Sequence, residues 1–402
     1  MRALRTLGGG ARLASGAHPG TRCGLCSALS EGASEHAAAA VRPTQPHVPV
    51  LLNEVVAAFE GRRLRVFVDA TLGAGGHAAA ILAAHPELEL YVGLDADPEA
   101  LALGGARLRD AGHGSRVRLV HGNFGDYGSL VAEALRAEGR ADAGVDGILA
   151  DFGVSSMQLD AARRGFSFSK AGPLDMRMDT TQGRTAWHVV NETSERELGR
   201  ILRDFGEQPR WRDVARAIVA QRALAPIDST EKLRTVVEAA VPLWQRRKRR
   251  SSGGAKGNGP RTSKRGIHPA TQTFQALRIE VNGELASIDR ALPAMIASLA
   301  PSARMGVISF HSLEDRRVKT AFREAAGLAG HQTRLTKAER YTGVTASDTA
   351  LGEASAAGGG GHPLCLPRRR PIVPTDEEVE ANPRARSAKF RIADRAPERG
   401  IA

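Results

Sequence analysis

The segment VFVDATLGAGGHAAAILAAHPELELYVGLDADP, residues 66 to 98, constrains this chain more than any other. Residues 66 to 68 are a short β-branched and aromatic run of the kind that sits buried on both faces of a parallel sheet. Gly73, Gly75 and Gly76 follow where the chain turns into a helix, and glycine there lets the backbone come close to a ligand. Residues 91 to 94 form a second apolar run. Asp95 ends it about 20 residues past the glycines, where a carboxylate can accept hydrogen bonds from ribose hydroxyls. Together these features describe a nucleotide-type pocket.

The segment alone does not choose its ligand. Gly73, Gly75 and Ala78 satisfy the loose G-x-G-x-x-G/A spacing of dinucleotide folds, the same pattern suits S-adenosylmethionine, and an ordinary β-α turn shares it. Beyond it the alternation continues, with a helix over 98–109, a strand over 117–121 and another over 147–150 that ends at Asp151. From 163 to about 240 the pattern is mainly helical, as ELGRILRDFG and VARAIVAQRA show. A long helix over 271–299 and a strand over 305–310 resume the first pattern, and 372–375 and 389–393 read as sheet-edge strands. The expected organisation is a leader at 1–45, an α/β parallel sheet at 46–162 and 271–402, and an inserted helical domain at 163–270.

Composition bounds the partners. With 402 residues and 42% hydrophobic content the chain can build real cores, yet no apolar run approaches the ~20 residues that span a bilayer. A net charge of +12 suits a polyanionic partner, and equally a mitochondrial matrix protein. Nine Lys or Arg and no acid fall in the loop 245–265, which neutralises phosphates or is simply solvated, and a Gly-rich loop occupies 342–363. Residues 1–30 carry Arg2, Arg5, Arg12 and Arg22 with no acidic residue, as mitochondrial transit peptides do; a disordered extension is the alternative. Cys23, Cys26 and Cys365 make an odd count, so a disulfide framework is not expected, and the lone C-x-x-C has no second pair or histidine cluster to make a metal site. No metal is expected.

The residues that matter on such a sheet lie just past its strands: DATLGAGGH from Asp69, GLDADP from Gly93, HGNF from His121, ADFGVSSMQLD from Ala150 and ISFHSLEDRRVK from Ile308. With HVPVLLNEVV, GFSFSKAGPLDMRMD and NPRARSAKFRIAD around them, the chain resembles the small-subunit ribosomal RNA (cytosine-N4)-methyltransferase family, the RsmH or MraW type, and with its leader the mitochondrial member. The likeness runs from His47 to Arg395, apart from the basic and Gly-rich loops. It implies a Rossmann-like S-adenosylmethionine-dependent methyltransferase sheet. It also implies N4-methylation of a cytidine in mitochondrial small-subunit rRNA, or in the assembling small ribosomal subunit, in the matrix. Carried over residue by residue, Gly75, Gly76 and His77 line the S-adenosylmethionine site, Asp95 holds the ribose, Phe124 flanks the adenine, and Asp151 and Gln158 complete the pocket.

Methyl transfer from a sulfonium depends mainly on orientation, and acceptors for the amine hydrogens help by freeing the nitrogen lone pair from the ring. Asp151 is the first candidate acceptor, although it begins DFGV where many amino methyltransferases have Asp or Asn followed by Pro-Pro-aromatic. His311 and Asp315 are further candidates, with capping of a helix near Leu313 as the competing explanation. Arg163, Arg164, Arg177, Arg210 and Arg212 are candidates for phosphate contact in the helical segment. Two other readings use the same features: a dinucleotide-dependent oxidoreductase, and a noncatalytic RNA-binding assembly factor.

Overall fold

The computed structural model describes residues 48–241, 268–328 and 363–397. The leader, the basic loop and positions 342–362 of the Gly-rich loop lie outside the described residues. Helix α1 (Leu52–Phe59) leads into β1 (Val66–Asp69), α2 (Gly76–Ala84), β2 (Leu90–Asp95), α3 (Pro98–Asp110), β3 (Val117–His121), α4 (Tyr127–Ala137) and β4 (Val145–Asp151). After α5 (Ser156–Asp160) come four helices: α6 (Ala186–Glu192), α7 (Glu195–Asp204), α8 (Trp211–Leu224) and α9 (Thr230–Ala240). Then follow α10 (Pro269–Asn282), α11 (Glu284–Ser298), β5 (Leu299–Ser309), α12 (Ser312–Ala325), β6 (Leu364–Cys365), α13 (Asp376–Ala381) and β7 (Lys389–Arg395).

The strands form one seven-stranded sheet in the order β3-β2-β1-β4-β5-β7-β6. Strands β1 to β5 are parallel, and β7 runs antiparallel to both β5 and β6. Residues alternate between its faces with the period of two that a pleated strand imposes. Val66, Val68, Val92, Ile148 and Val307 pack into one core, with α4, α11 and α12; Phe67, Tyr91, Leu149 and Ile308 pack into the other, with α1, α2 and α3. Both faces are therefore dry, which is why the central strands read as continuous apolar runs. A third apolar cluster joins Leu198, Ile201, Val214, Ile218 and Leu233 of the helical segment to Phe274 and Leu277 of α10.

Four details differ from the sequence expectations. The sheet is mixed rather than all parallel, and β7 lies inside it rather than at its edge, because the pairing of β7 with β5 is non-local. Residues 372–375 contribute only an isolated bridge, Ile372 with Phe390. The long helix expected over 271–299 is two helices, broken at Gly283, whose φ of 59° caps α10 in the left-handed conformation that glycine adopts at little cost. Residues 165–185 are irregular rather than helical, and Met176 there has φ 60°.

Gly147 of β4 is a packing requirement rather than a turn. A β-carbon there would lie 2.5 Å from the ring of Phe67, which also stacks on Tyr91 at 5.3 Å. Overfilling a packed core of this kind costs about 1–3 kcal/mol. Gly147→Ala is expected to lower unfolding stability by that amount in urea titration; an unchanged midpoint would mean that the Phe67 ring moves aside freely.

Candidate active site

Strand order reverses between β1 and β4, the place where ligands bind on such sheets. A cavity of about 480 Å³ opens there, within the ~300–1,000 Å³ usual for small-molecule sites. Gly76, His77, Asp95, Phe124, Asp151 and Gln158, all picked out from the sequence, line it. Gly75 does not. Its φ of 71° starts α2, and a β-carbon on it would lie 3.1 Å from the Gly104 Cα of α3, so it serves the turn and the helix contact. His311 and Asp315 are also outside the lining. Asp315 is held by Arg391 at 2.7 Å and Lys389 at 3.0 Å, on the side of the β7 strand.

The glycine loop is tied to β2 by Asp95. Its Oδ2 accepts the Gly73 N–H at 2.8 Å and its Oδ1 accepts the Asp97 N–H at 2.8 Å. Burial, outweighing these amides, pushes the Asp95 carboxyl up to about 6. Asp69, at the end of β1, is similarly pushed up to about 6 by burial while accepting hydrogen bonds from Thr71 N–H and the Tyr91 hydroxyl. His77 contacts the Val50 carbonyl through Nε2 at 3.0 Å, which places its proton on Nε2 and turns Nδ1 toward Asp151, 4.0 Å from Oδ2. Phe124 stacks on Phe152 at 5.1 Å, so one ring supports another at the cavity wall. Gln158 lines the cavity but is also structural: it completes a capping box with Ser155 and donates to Asp97.

Asp151 is the most perturbed of the lining carboxyls. Thr71 Oγ1 accepts its backbone N–H at 2.6 Å, and about a quarter of its side chain faces the cavity (26%), but its Oδ1 is shut off from solvent without a hydrogen-bond partner. Burial first, then the charges of Asp69 and Glu314, push this carboxyl up to about 8. An unpartnered buried carboxyl is costly unless a ligand supplies a donor or a positive charge. That orphaned oxygen, beside glycine backbone and an aromatic wall, fits a cationic sulfonium cofactor carrying an adenosine group.

Several residues that build the site were not singled out from the sequence. Asp97 is fully buried and caps α3 through the Glu99 N–H, while Arg164 donates to it at 2.7 Å. The Asp-Pro pair at 97–98 is a readable helix start, but the ion pair across 67 residues is not. Arg164 is therefore buried rather than available to phosphate, and also donates to the carbonyls of Arg177 and Met178. The other four arginines are engaged too: Arg163 with Glu99, Arg177 with Asp175, Arg210 with Asp213, and Arg212 over the Trp211 ring. Glu284, His311 and Glu314 bring three ligand-type atoms within 4.8 Å of one another. Arg278 already holds both Glu284 oxygens at 2.8 Å, so a guanidinium supplies the positive charge in this cluster.

This sheet order, with its antiparallel β7 and a cavity at the β1/β4 reversal, is that of the Rossmann-like methyltransferases. The chain belongs to the MraW methylase family, whose family model matches residues 44–347. It is 45% identical over 355 residues to ribosomal RNA small subunit methyltransferase H of Saccharopolyspora erythraea, covering 88% of this chain and 94% of that one. It is 42% identical over 350 residues to the protein of the same name in Heliobacterium modesticaldum, covering 87% and 98%. Among the described residues, no helix is long and apolar enough to cross a membrane.

Two outcomes follow from the buried charges. Arg164→Leu strands Asp97 without its partner, and guanidinium denaturation is expected to show a loss of about 3–5 kcal/mol; a loss below ~1 kcal/mol would refute the pairing. Because the folded protein holds the Asp151 proton up to about pH 8 and the unfolded chain releases it near 4, stability falls as pH rises through that window. Asp151→Asn should flatten this fall, so that the variant is the more stable protein at pH 8.5. A thermal-shift series that stays parallel to the parent from pH 5 to 9 would contradict the raised pKa.

Proposed function

We propose that this protein transfers a methyl group from S-adenosylmethionine to the N4 amine of a cytidine in mitochondrial small-subunit rRNA, free or in the assembling subunit. The observation that carries the reading is the unpartnered Asp151 carboxyl in the cavity at the strand reversal, in a chain that matches the rRNA small subunit methyltransferase H proteins over most of its length. The mitochondrial setting rests on the acid-free, arginine-bearing composition of residues 1–30.

When bound, S-adenosylmethionine supplies an activated methyl group on a sulfonium. The chain's own residues have separate tasks. Asp95, with both oxygens already fixed by backbone amides, keeps lone pairs for ribose hydroxyls. Phe124, backed by Phe152, offers a ring face to adenine. Gly76 leaves the loop thin, since a β-carbon there would lie 2.4 Å from Pro49 Cγ. Asp151 faces the reacting region, and a nearby positive sulfonium favours its ionised form.

The charge on Asp151 gives a test of cofactor and pocket together. A cationic ligand binds the ionised carboxylate, so proton release accompanies binding below about pH 8 and affinity for S-adenosylmethionine rises with pH up to that value. Calorimetry in buffers of different ionisation enthalpy reads both effects; a pH-independent Kd without proton release removes Asp151 from the site. For the substrate, nucleoside mass spectrometry of mitochondrial small-subunit rRNA from cells lacking the protein should show loss of N4-methylcytidine, restored by the parent chain and not by Asp151→Ala. Unchanged N4-methylcytidine in the deficient cells would overturn the proposed reaction.

A further inference from the structure

A second carboxyl at the cavity has the features of a proton acceptor. Glu314, at the start of α12, is fully buried and lines the same cavity as Asp151. Its Oε2 is fixed by the N–H groups of Phe310 at 2.7 Å and His311 at 3.2 Å, which anchors the carboxyl to the end of β5. Its Oε1 is buried and makes no aligned hydrogen bond: His311 Nε2 lies 3.1 Å away but out of line, and Arg278 Nη2 lies 3.8 Å away. A β-carbon on Gly153, two residues past Asp151, would lie 3.9 Å from that Oε1, so the oxygen packs against the DFGV loop itself. The helix cap explains Oε2; it does not explain a second oxygen left in a cavity wall with neighbouring cations but no aligned donor.

We propose that Glu314 is the catalytic acceptor of the transferred amine's proton, its Oε1 and Asp151 Oδ1 together receiving the two N–H groups of the target base, with His311 as the residue that positions Glu314. The proposal rests on the cytidine N4 reading above. Cytosine N4 carries two hydrogens and a lone pair conjugated with the ring. Two acceptors at one pocket wall bind both hydrogens and favour a pyramidal nitrogen, whose lone pair is then free to attack. As the nitrogen–methyl bond forms and the sulfur–methyl bond breaks, sulfur keeps the electron pair and the nitrogen becomes cationic. One N–H proton then passes to Glu314 Oε1, leaving a neutral N4-methyl amine.

The charged surroundings suit this division of labour. Facing Glu314 are Arg278 of α10, with Nη2 3.8 Å from Oε1, Glu284 of α11, Asp151 of β4, and His311 at its own helix cap. Burial raises the Glu314 carboxyl, but His311, Arg278 and the Phe310 N–H outweigh it, and the group lies below the usual glutamate value. Asp151 is pushed the opposite way. Two carboxyls in one site with pKa values driven apart are a recurrent arrangement for acid–base work. His311 accepts the Glu314 backbone N–H at Nδ1, 3.4 Å away, so its ring proton sits on Nε2, 3.1 Å from Glu314 Oε1. His311 thus holds the Glu314 backbone through Nδ1 and faces its carboxylate through Nε2, which is the geometry of a positioning residue.

Glu314→Gln tests the assignment, because its amide oxygen can still accept the Phe310 and His311 N–H groups while an NH2 replaces the acceptor. With mitochondrial small-subunit rRNA as substrate, kcat is expected to fall by about 10²–10⁴-fold, the range for a lost general base. S-Adenosylmethionine affinity by calorimetry should change less than about threefold, and Glu314→Asp should recover part of the rate. His311→Ala should shift the acid limb of the kcat–pH profile with a smaller loss of rate. Parent-level kcat in Glu314→Gln would overturn the proposal even if the parent forms N4-methylcytidine; failure of the parent to form it would sink the underlying reading instead. Saturable binding of Mn2+ or Zn2+ alone to the parent, lost in Glu314→Gln, would also overturn it, by making the cluster a metal site.

Discussion

The buried ion pair of Asp97 with Arg164 joins parts of the protein that nothing else brings together so directly. Asp97 sits two residues beyond the end of the second strand, caps the third helix, and accepts from both Arg164 and Gln158. Arg164 then fixes the carbonyls of Arg177 and Met178, while Asn282 accepts from the Met178 N–H and donates to the Met176 carbonyl. One chain of hydrogen bonds, charge-assisted at Arg164 and neutral at Asn282, therefore runs from the end of the second strand, through the irregular segment 165–185, to the end of the helix Pro269–Asn282. Removing two full charges from water is expensive, and it is sustained here because nearly every lone pair and N–H is used. The Arg164 Nε is the exception, buried without a partner.

That chain of contacts explains why the helical segment, although it has an apolar cluster of its own, is anchored at the cavity. Helix Glu195–Asp204 packs on Trp211–Leu224 and on Pro269–Asn282, whose far end supplies Arg278 and Asn282 to the cavity lining. This side of the cavity is thus built by the helix Pro269–Asn282, through Thr271, Arg278 and Asn282, together with Met178 of the irregular segment. Gly283 is the pivot: its left-handed backbone ends one helix and starts the next, setting Arg278 and Glu284 in a bidentate pair across the break.

Much of this architecture was legible in the sequence, for physical reasons that also mark where legibility ends. Strands buried on both faces are apolar throughout, so β1, β2 and β4 declared themselves; the edge strand at 117–121, with no fully buried residue, was legible from its β-branched alternation and matched to the residue. The place of Lys389–Arg395 inside the sheet did not, because strand order depends on pairing between distant residues such as Arg304 and Asp394. In the site, the carboxylates at strand ends were found by position. For Gly75 the sequence could not separate two uses, because the turn and the helix contact require the same residue type as a ligand cradle. Among the arginines that are candidates for phosphate contact, Arg164 is withdrawn by a partner that composition cannot show, an aspartate 67 residues away. Glu314 was passed over for its neighbours His311 and Asp315: a capping box accounts for a glutamate at the third helical position, and only the fold shows that one of its oxygens is left over.

Three carboxyls end adjacent strands in this molecule, and their partners separate their tasks. Asp69 satisfies its oxygens with Thr71 and the Tyr91 hydroxyl, and Asp95 satisfies its own with two backbone amides of the loops it joins. All three are pushed up by burial, so each destabilises the empty site in its ionised form. Asp151 alone keeps an unpartnered oxygen, and it has the highest value of the three. A cation arriving at this end of the sheet gains from all three charges at once, while only Asp151 has a whole acceptor oxygen to spare for a donor. Asp69 therefore shapes its loop and the field, Asp95 fixes two loops while keeping the lone pairs proposed for ribose hydroxyls, and Asp151 alone holds a whole oxygen in reserve. Strain of this kind persists only because the closed cores on both faces of the sheet leave the strand ends no other conformation.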